Sequence, residues 1–394
     1  MNTSNENAIR PLKPVGEYDW PSLPAERTVL SLLDRVKDLI GVIDDEPAIK
    51  SEQLQRTTEK RDDSVASFVG CEQLDKEIDS AITTWLQSPD SHSPVYLMVF
   101  PPCQQRNSLE TWAQARAYDI LQTPPREALL ESPVNAVELQ GEGILVIPEL
   151  SSWYLRHRNG LGHIDSLLCA LSTTTRPCVV GCNSWAWQFL GRAVEANQYL
   201  PEPVMFQAFD SLALRQHLIH VARESDEDRI CFRESTTGDD VLALDSQGDV
   251  KGDYLRSLAA QSLGIPWVAQ LVWRQSLRTV RDGDAFEDEA AEPPENGQSE
   301  ALDTLWLVQY QKPTLAKEYR EAALLVLHAL LLHGKLTQDE LSFVLPIMRV
   351  SAQVQMLKKA GFLNDDDGVL SCASIAYPAA RQYLSDSGFP MDNL

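Results

Sequence analysis

Positive charge is scarce in this chain of 394 residues. It carries 34 Lys and Arg against 57 Asp and Glu, which gives a formal net charge of −23 and a pI near 4.7. A surface of this sign repels polyphosphates and anionic lipids. The composition therefore argues against non-specific nucleic-acid binding, although it allows a local basic site.

Long apolar runs and cysteine motifs are also missing. The longest apolar run, Ala322 to Leu332, contains His328 and is far shorter than the roughly 20 residues that a membrane-spanning helix needs. The seven cysteines are scattered without a C-x-x-C pair, and several lie in apolar runs, where a free thiol packs as a small hydrophobe. The polar start Met-Asn-Thr-Ser-Asn-Glu-Asn is not a signal peptide. These absences predict a cytoplasmic protein that does not insert into membranes.

Common catalytic and metal-binding patterns are absent too. There is no G-x-S-x-G nucleophile elbow. His217 and His220 are three residues apart on a predicted helix, but no carboxylate or cysteine motif completes a metal site. Cys103 lies near a helix N-terminus, which can lower a thiol pKa, yet no obvious base accompanies it. We therefore expect no bound metal and no nucleophilic cysteine.

The stretch from Val95 to Ser108 has the layout of a phosphate-binding loop. An apolar, β-rich run ends at Phe100 and a short loop follows. A helical pattern then opens at Ser108 and continues to Leu121. Strand, loop and helix in this order are typical of a nucleotide-binding fold.

The residues of this loop depart from a working one. A working loop reads G-x-x-x-x-G-K-[ST]: its glycines let backbone N–H groups wrap the phosphates, its Lys reaches the β- and γ-phosphates, and its hydroxyl holds Mg²⁺. Pro101 and Arg106 stand at the glycine positions and Asn107 at the lysine position, so only Ser108 is retained. With the residue that ends a later strand, the predicted degenerate nucleotide site consists of Cys103, Gln104, Arg106, Asn107, Ser108 and Asn183.

Two later apolar runs end in polar residues that suit the same site. Gly143 to Glu149 places Pro148 where a Walker B strand has its Mg²⁺-binding Asp, and Glu149 where it has the Glu that orients water. Glu149 is thus either a catalytic remnant or an acid at a helix N-terminus. Pro177 to Asn183 ends in an amide, and a fourth run starts at Val204. Alternating strands and helices predict a parallel sheet with helices on its faces, where ligands bind at the carboxyl ends of the strands.

Composition and periodicity predict the segments around this core. An amphipathic helix is predicted over Ala25 to Ile43. In an Asp- and Gly-rich insert, a hairpin is predicted to pair Ile230 to Glu234 with Val241 to Leu244, and two helices fill Tyr254 to Thr279. Arg281 to Glu300 is acidic and has no apolar period, so we expect an unfolded linker.

The pattern after the linker predicts a winged helix-turn-helix. Three short helices are predicted: Tyr319 to His333, Thr337 to Leu345, and a third from Met348 or Ser351 to Ala360. Thr337 and Glu340 form a capping box, and a turn at Asn364 to Gly368 leads into Val369 to Ser371 as the wing. The candidate residues for contact with a partner or DNA are Arg349, Gln353, Gln355, Lys358 and Lys359. The predicted wing tip carries Asp365, Asp366 and Asp367.

Together these residues resemble a P-loop ATPase of the AAA+/STAND kind with a C-terminal winged helix, over Phe68 to Leu394. Phe68 to Leu74 is similar to the h-h-G-R-x-x-E-L box that precedes the first strand in those proteins, with Cys71 in place of Arg. Tyr254 to Leu277 resembles their helical lid, and Asn183 stands where they place a sensor Asn, Ser or Thr. The order ATPase, lid, winged helix is similar to that of the archaeal origin-recognition initiators. The resemblance implies an α/β fold: a P-loop NTPase-like parallel sheet with a helical lid, followed by an α+β winged helix-turn-helix domain.

The predicted division has five parts. They are an extended arm and amphipathic helix (1–64), a degenerate P-loop ATPase-like core (65–222), an insert and helical lid (223–280), an acidic linker (281–300) and a winged helix-turn-helix (301–394).

Three functions from different classes fit this sequence. The first is a pseudo-ATPase that acts as a regulatory or assembly scaffold through protein contacts. The second is a winged-helix DNA-binding regulator or initiator-like protein, and the third is an atypical but active ATPase whose missing lysine is supplied by Arg106 or from elsewhere. The carboxylates of the wing tip would be repelled by phosphates, so the sequence favours a protein partner over DNA. The degenerate motifs argue against an enzyme and predict no cofactor, with ATP or ADP bound without hydrolysis as the alternative.

Overall fold

The structure, a computed structural model, describes residues 9–22, 47–58, 61, 71–87, 93–131, 134–223, 230–281, 303–317, 320–346 and 349–392. The chain divides into two compact units. The first comprises Met1–Asp19, Glu72–Gln207 and Lys312–Leu394, and the second Trp20–Cys71 and Ala208–Gln311. The predicted helix over 25–43, residues 68–70 of the box before the first strand, and linker residues 282–300 lie outside the described residues. The five-part division stays a prediction.

The regular elements are named in chain order. The α-helices are α1 (Glu72–Leu86), α2 (Ser108–Ala115), α3 (Gly162–Thr173), α4 (Ser184–Ala193), α5 (Ser211–Arg223), α6 (Tyr254–Gln261), α7 (Pro266–Ser276), α8 (Arg320–His333), α9 (Gln338–Val344), α10 (Val350–Lys359) and α11 (Tyr377–Asp386). The strands are β1 (Lys13–Pro14), β2 (Leu54–Arg56), β3 (Val95–Phe100), β4 (Asp119–Ile120), β5 (Leu145–Ile147), β6 (Cys178–Asn183), β7 (Val204–Met205), β8 (Ile230–Glu234), β9 (Leu277–Val280), β10 (Asp303–Leu307), β11 (Lys335–Thr337), β12 (Leu363–Asp366) and β13 (Val369–Cys372).

A six-stranded sheet forms the centre of the first unit. Its order is β1-β7-β3-β6-β5-β4, and all neighbours run parallel except β1, which pairs antiparallel with β7. β3 and β6 pair from Val95 with Cys178 to Phe100 with Asn183, so both strands end at the same edge. Every residue of β6 is buried, as a central parallel strand covered on both faces requires. The prediction of a mixed α/β fold with a parallel sheet is confirmed.

The helix after the loop is shorter than its pattern predicts. It ends at Ala115 rather than near Leu121, because Ala117 takes a left-handed conformation (φ 55°) that a continuing helix cannot accommodate. The chain then forms the edge strand β4, whose Ile120 pairs with Val146 of β5. β4 contains a single apolar residue, Ile120, so it produces no recognisable apolar run.

The C-terminal part of the first unit, named here the C-terminal module (320–392), follows its predicted order closely. Thr337 Oγ1 accepts from Glu340 N at 3.2 Å and Thr337 N donates to Glu340 Oε2 at 2.7 Å, which is the predicted capping box. β12 and β13 form a hairpin across Asp367 and Gly368, both with positive φ, and β11 completes a three-stranded antiparallel sheet. β11 and α11 were not part of the prediction.

The second unit contains a four-stranded sheet that periodicity did not predict. Its order is β2-β9-β10-β8, so its strands come from distant parts of the chain. The second predicted helix ends at Ser276, and the residues that follow form β9. β8 pairs parallel with β10 instead of with the predicted strand over 241–244, although Val241 N still donates to Phe232 O at 2.8 Å. Gly264 separates α6 from α7 with φ +69°, and a Cβ there would lie 2.7 Å from the Ala208 Cβ.

Candidate functional site

A cavity lies at the carboxyl edge of the parallel sheet. β3, β5 and β6 end beside it, and its volume is about 960 Å³. Its lining includes the predicted residues Cys103, Gln104, Arg106, Asn107, Glu149 and Asn183. Ser108, the retained hydroxyl of the loop, is absent from this lining. The C-terminal module supplies the opposite wall through His333, Lys335 and Ser374, among others.

Two side chains of the loop after β3 hydrogen-bond to backbone groups at the start of α2 and at the end of β5. Ser108 N donates to Gln104 Oε1 at 2.8 Å. Asn107 Oδ1 accepts from Glu110 N at 2.9 Å and so caps α2, while Asn107 Nδ2 donates to Pro148 O at 3.1 Å. The amide that replaces the lysine therefore joins the loop to the end of β5, and both of its polar atoms have partners inside the protein.

Glu149 joins the ends of two strands. Its Oε1 accepts from Ser151 N at 2.9 Å and from Asn183 N at 3.1 Å. Burial raises the pKa of this carboxyl group, and the two backbone hydrogen bonds oppose that rise. Of the two interpretations of Glu149, the contact with Ser151 fits the acid at a helix N-terminus, because Glu149 caps the short 3-10 helix Leu150–Trp153.

Asn183 retains a free donor beside the cavity. Its Oδ1 accepts from Ala186 N at 2.9 Å and caps α4. Its Nδ2 is buried and has no hydrogen-bond partner among the described residues. This amide is thus the one predicted site residue here with a buried polar atom left for a ligand.

Arg126 is a cavity residue that sequence reasoning missed. Its guanidinium donates to Tyr154 O (3.4 Å), His333 O (3.4 Å) and Lys335 O (3.2 Å). Burial lowers the pKa of Arg126, while the nearby acids Glu340 and Glu149 raise it. A Pro-Pro pair before Arg126 is the only sequence signal, and nothing in it points to a contact about 200 residues away.

The C-terminal module contacts the loop directly. Ser374 Oγ donates to Cys103 O at 2.5 Å, and the Cys103 thiol is in contact with the Cys372 thiol. Burial, followed by this contact with Cys372, raises the pKa of the Cys103 thiol well above its usual range. A thiol with a raised pKa is a poor nucleophile, because the thiolate is the reactive form.

A second connection, named here the Asp392 cluster, joins the end of the chain to α4. Asp392 Oδ2 accepts from Ser184 Oγ at 2.6 Å and from Tyr377 OH at 3.3 Å, and Asp392 Oδ1 accepts from Arg381 Nη2 at 3.0 Å. Trp185 Nε1 donates to Tyr377 OH at 3.2 Å. Burial raises the pKa of Asp392, whereas Arg381 opposes that rise. Ser184 follows Asn183 directly, so this cluster holds the C-terminal module next to the cavity.

The candidate residues for DNA or partner contact lie just before α10 and along it, and they differ in exposure. Arg349, Gln355 and Lys359 are exposed, while Gln353 and Lys358 are half-buried. Lys358 Nζ lies 2.6 Å from Asp365 Oδ2 of the hairpin, and Asp365 Oδ1 accepts from Gly368 N at 2.8 Å. The hydrogen bonds from Lys358 and Gly368 lower the pKa of Asp365. The carboxylate thus competes with any phosphate for Lys358.

Among the described residues, neither a metal-binding group of side chains nor a membrane-spanning helix is found. In the part of the chain that the structure describes, no group of three or more His, Cys, Asp and Glu is placed to hold a metal ion. His217 is buried against Phe209, with ring centroids 6.3 Å apart. None of the helices within the described ranges has both the length and the apolarity to cross a membrane.

Comparisons with known proteins give matches to solved structures only. No protein-family model and no curated protein matches the chain. Solved structures that match include Cdc6p from Pyrobaculum aerophilum, with 12% sequence identity, 82% of this chain and 98% of that chain covered, and a TM-score of 0.26. A TM-score this low does not establish a shared fold or function.

Proposed function

We propose that this chain is a P-loop-type protein that does not hydrolyse nucleotide and acts as a regulatory or assembly scaffold through protein contacts. The observation that carries the proposal is the hydrogen bonding of Asn107, at the position where a working loop has its lysine. Both polar atoms of this amide bind the protein itself, to Glu110 N and Pro148 O. The side chain thus serves to hold the loop in place.

The arrangement of strands supports kinship with AAA+ ATPases. The strand before the loop, β3, is separated from the acid-ended strand β5 by β6, which ends in Asn183. One strand inserted at this place is typical of AAA+ proteins. The helix and strand order of the C-terminal module likewise has the layout of a winged helix.

The residues around the cavity do not fit a Mg²⁺-nucleotide. Pro148 offers only a carbonyl, which already accepts from Asn107, and Ser108 N is occupied by Gln104. Arg106 is exposed, and Arg126 donates to backbone carbonyls. Positioned charge and Mg²⁺ supply most of the catalysis of phosphoryl transfer, so this arrangement does not favour hydrolysis.

The connections of the C-terminal module favour a scaffold. Arg126, the contact between Ser374 and Cys103, and the Asp392 cluster all join this module to the core of the first unit. A module held this way presents α10 and the hairpin as a fixed surface. DNA binding is the alternative, favoured by the exposed Arg349 and Lys359 and opposed by the ion pair of Lys358 with Asp365.

Phosphate release from ATP tests the absence of hydrolysis. Purified full-length protein with Mg²⁺ and ATP should release no phosphate above the buffer background, and Glu149→Gln should behave identically. Turnover that is present in the natural protein and disappears in Glu149→Gln would contradict the proposal. Gln105→Ala is a control, since Gln105 is exposed and lies in the same loop.

A further inference from the structure

A second cavity lies away from the carboxyl edge of the sheet. Its volume is about 410 Å³, within the range of small-molecule sites. Its walls come from the N-terminal segment at Pro11, from α1 at Ala81, from the start of β3, and from the residues before β7. All of these residues belong to the first unit.

The walls of this cavity are mainly apolar and aromatic. Trp85 and Tyr96 lie side by side with ring centroids 5.4 Å apart, and Leu97, Pro201 and Val204 extend the apolar surface. Trp85 Nε1 donates to Ser93 O at 3.2 Å, which fixes the orientation of its ring. Burial raises the pKa of Tyr96 to about 12, so its hydroxyl stays neutral.

A buried carboxylate with an unused oxygen also lines the cavity. Glu77 is 1% exposed. Its Oε1 accepts from Arg10 Nε at 2.7 Å and from Gln73 Nε2 at 3.1 Å. Its Oε2 is buried and has no partner among the described residues. A buried acceptor without a donor is costly, and a molecule bound in the cavity can supply that donor.

We propose that this cavity binds a small amine with an apolar or aromatic body. The ammonium group donates to Glu77 Oε2, and the body packs against Trp85 and Tyr96, whose ring faces attract cations. Among the lining residues, Glu77 and Glu202 outnumber Arg10, so the charge balance favours a cation over a carboxylate. The site is separate from the proposed pseudo-ATPase cavity and does not depend on that proposal.

Three probes with the same phenylethyl body and different polar groups test this site in the full-length protein. We expect 2-phenylethylamine to bind with one-to-one stoichiometry by isothermal titration calorimetry. We expect 2-phenylethanol to bind at least about tenfold more weakly, because it lacks the charge-assisted hydrogen bond. The anion 3-phenylpropanoate should give no measurable binding.

Three variants locate the binding. Ala81→Leu, one helical turn from Glu77, fills the cavity and should abolish binding of the amine and the alcohol, whereas Thr83→Leu, on the exposed side of α1, should leave binding unchanged. Glu77→Gln should reduce the affinity for the amine to that for the alcohol. No binding by the natural protein, equal binding of amine and carboxylate, or amine binding that survives Ala81→Leu would overturn the proposal. If Glu77→Gln fails to fold, the Ala81→Leu comparison decides.

Discussion

At the scale of single residues, the side chains of the predicted site mainly form hydrogen bonds with backbone groups of the protein. Asn107, Glu149 and Asn183 each cap a helix, and Gln104 accepts the first backbone N–H of α2. Helix N-termini leave N–H groups without intrahelical partners, and a phosphate-binding loop gives those groups to its ligand. In this chain the side chains of Gln104 and Asn107 accept hydrogen bonds from such donors at the start of α2.

The double role of Asn107 predicts a loss of stability on truncation. Asn107→Ala removes the cap of α2 and the bond to Pro148 O, so the free energy of unfolding should fall by about 1–3 kcal/mol. Urea denaturation measures this, with Gln105→Ala as the control. Equal stability of Asn107→Ala and the natural protein would show that the loop does not depend on this amide.

A buried histidine predicts a stability that falls in mild acid. Burial lowers the pKa of His217 from 6.5 to about 4, so the folded protein holds it neutral while the unfolded chain takes up a proton. The contribution is present above pH 6.5 and is lost as the pH falls toward 4. By pH 5 the stability lost amounts to about 2 kcal/mol. Urea denaturation at pH 7 and pH 5 should show a smaller difference in His217→Gln than in the natural protein. The same difference in both proteins would mean that His217 does not titrate in this way.

At the scale of elements, long periodic segments were predictable and short or distant ones were not. β3 was predicted to the residue and β6 to within one, because central parallel strands are continuous apolar runs. β4 and β11 each contain a single apolar residue and so carry too little pattern, whereas the equally short β5 and β7 lie within longer apolar runs. The sheet of the second unit pairs strands that lie far apart in sequence, which no local periodicity reports.

The same limit applies to the candidate site. The loop and the ends of β5 and β6 were predictable because a parallel sheet gathers its carboxyl ends at one edge. Arg126 was not predictable, since its importance comes from carbonyls of α8 and β11 about 200 residues later. The Asp392 cluster is equally distant in sequence, 208 residues separating Ser184 from Asp392.

The hairpin β12–β13 predicts weak DNA binding. Asp365 engages Lys358, and Asp366 and Asp367 add charge of the same sign. The full-length protein should therefore bind duplex DNA weakly at physiological salt, and changing all three residues to Asn should strengthen binding at least about threefold. Fluorescence anisotropy at two salt concentrations measures this.

A matched control tests whether the change in net charge alone strengthens DNA binding. Glu127→Gln, Glu131→Gln and Glu142→Gln together change the net charge by the same amount at exposed positions. Tight, sequence-selective binding by the natural protein that is lost on Lys358→Ala and Lys359→Ala would instead favour the DNA-binding alternative.

At the scale of the whole molecule, the cavity at the sheet edge is surrounded by hydrogen bonds within the protein. The loop, the strand ends and the C-terminal module are joined around it by side chains that a nucleotide-hydrolysing protein would keep for phosphate, Mg²⁺ and water. This arrangement leaves room for a ligand at Asn183 Nδ2, and Pro148 stands where a Walker B strand has its Mg²⁺-binding carboxylate.

The response of ATP binding to Mg²⁺ tests this account most directly. Isothermal titration of the full-length protein with ATP should give the same affinity, within about twofold, with Mg²⁺ and with a chelator, or no binding in either case, because Asn107 and Pro148 provide no metal-binding side chain next to the phosphates. A rise in ATP affinity of about tenfold or more with Mg²⁺ that Ser108→Ala removes would contradict it, since that result requires a working phosphate-binding loop.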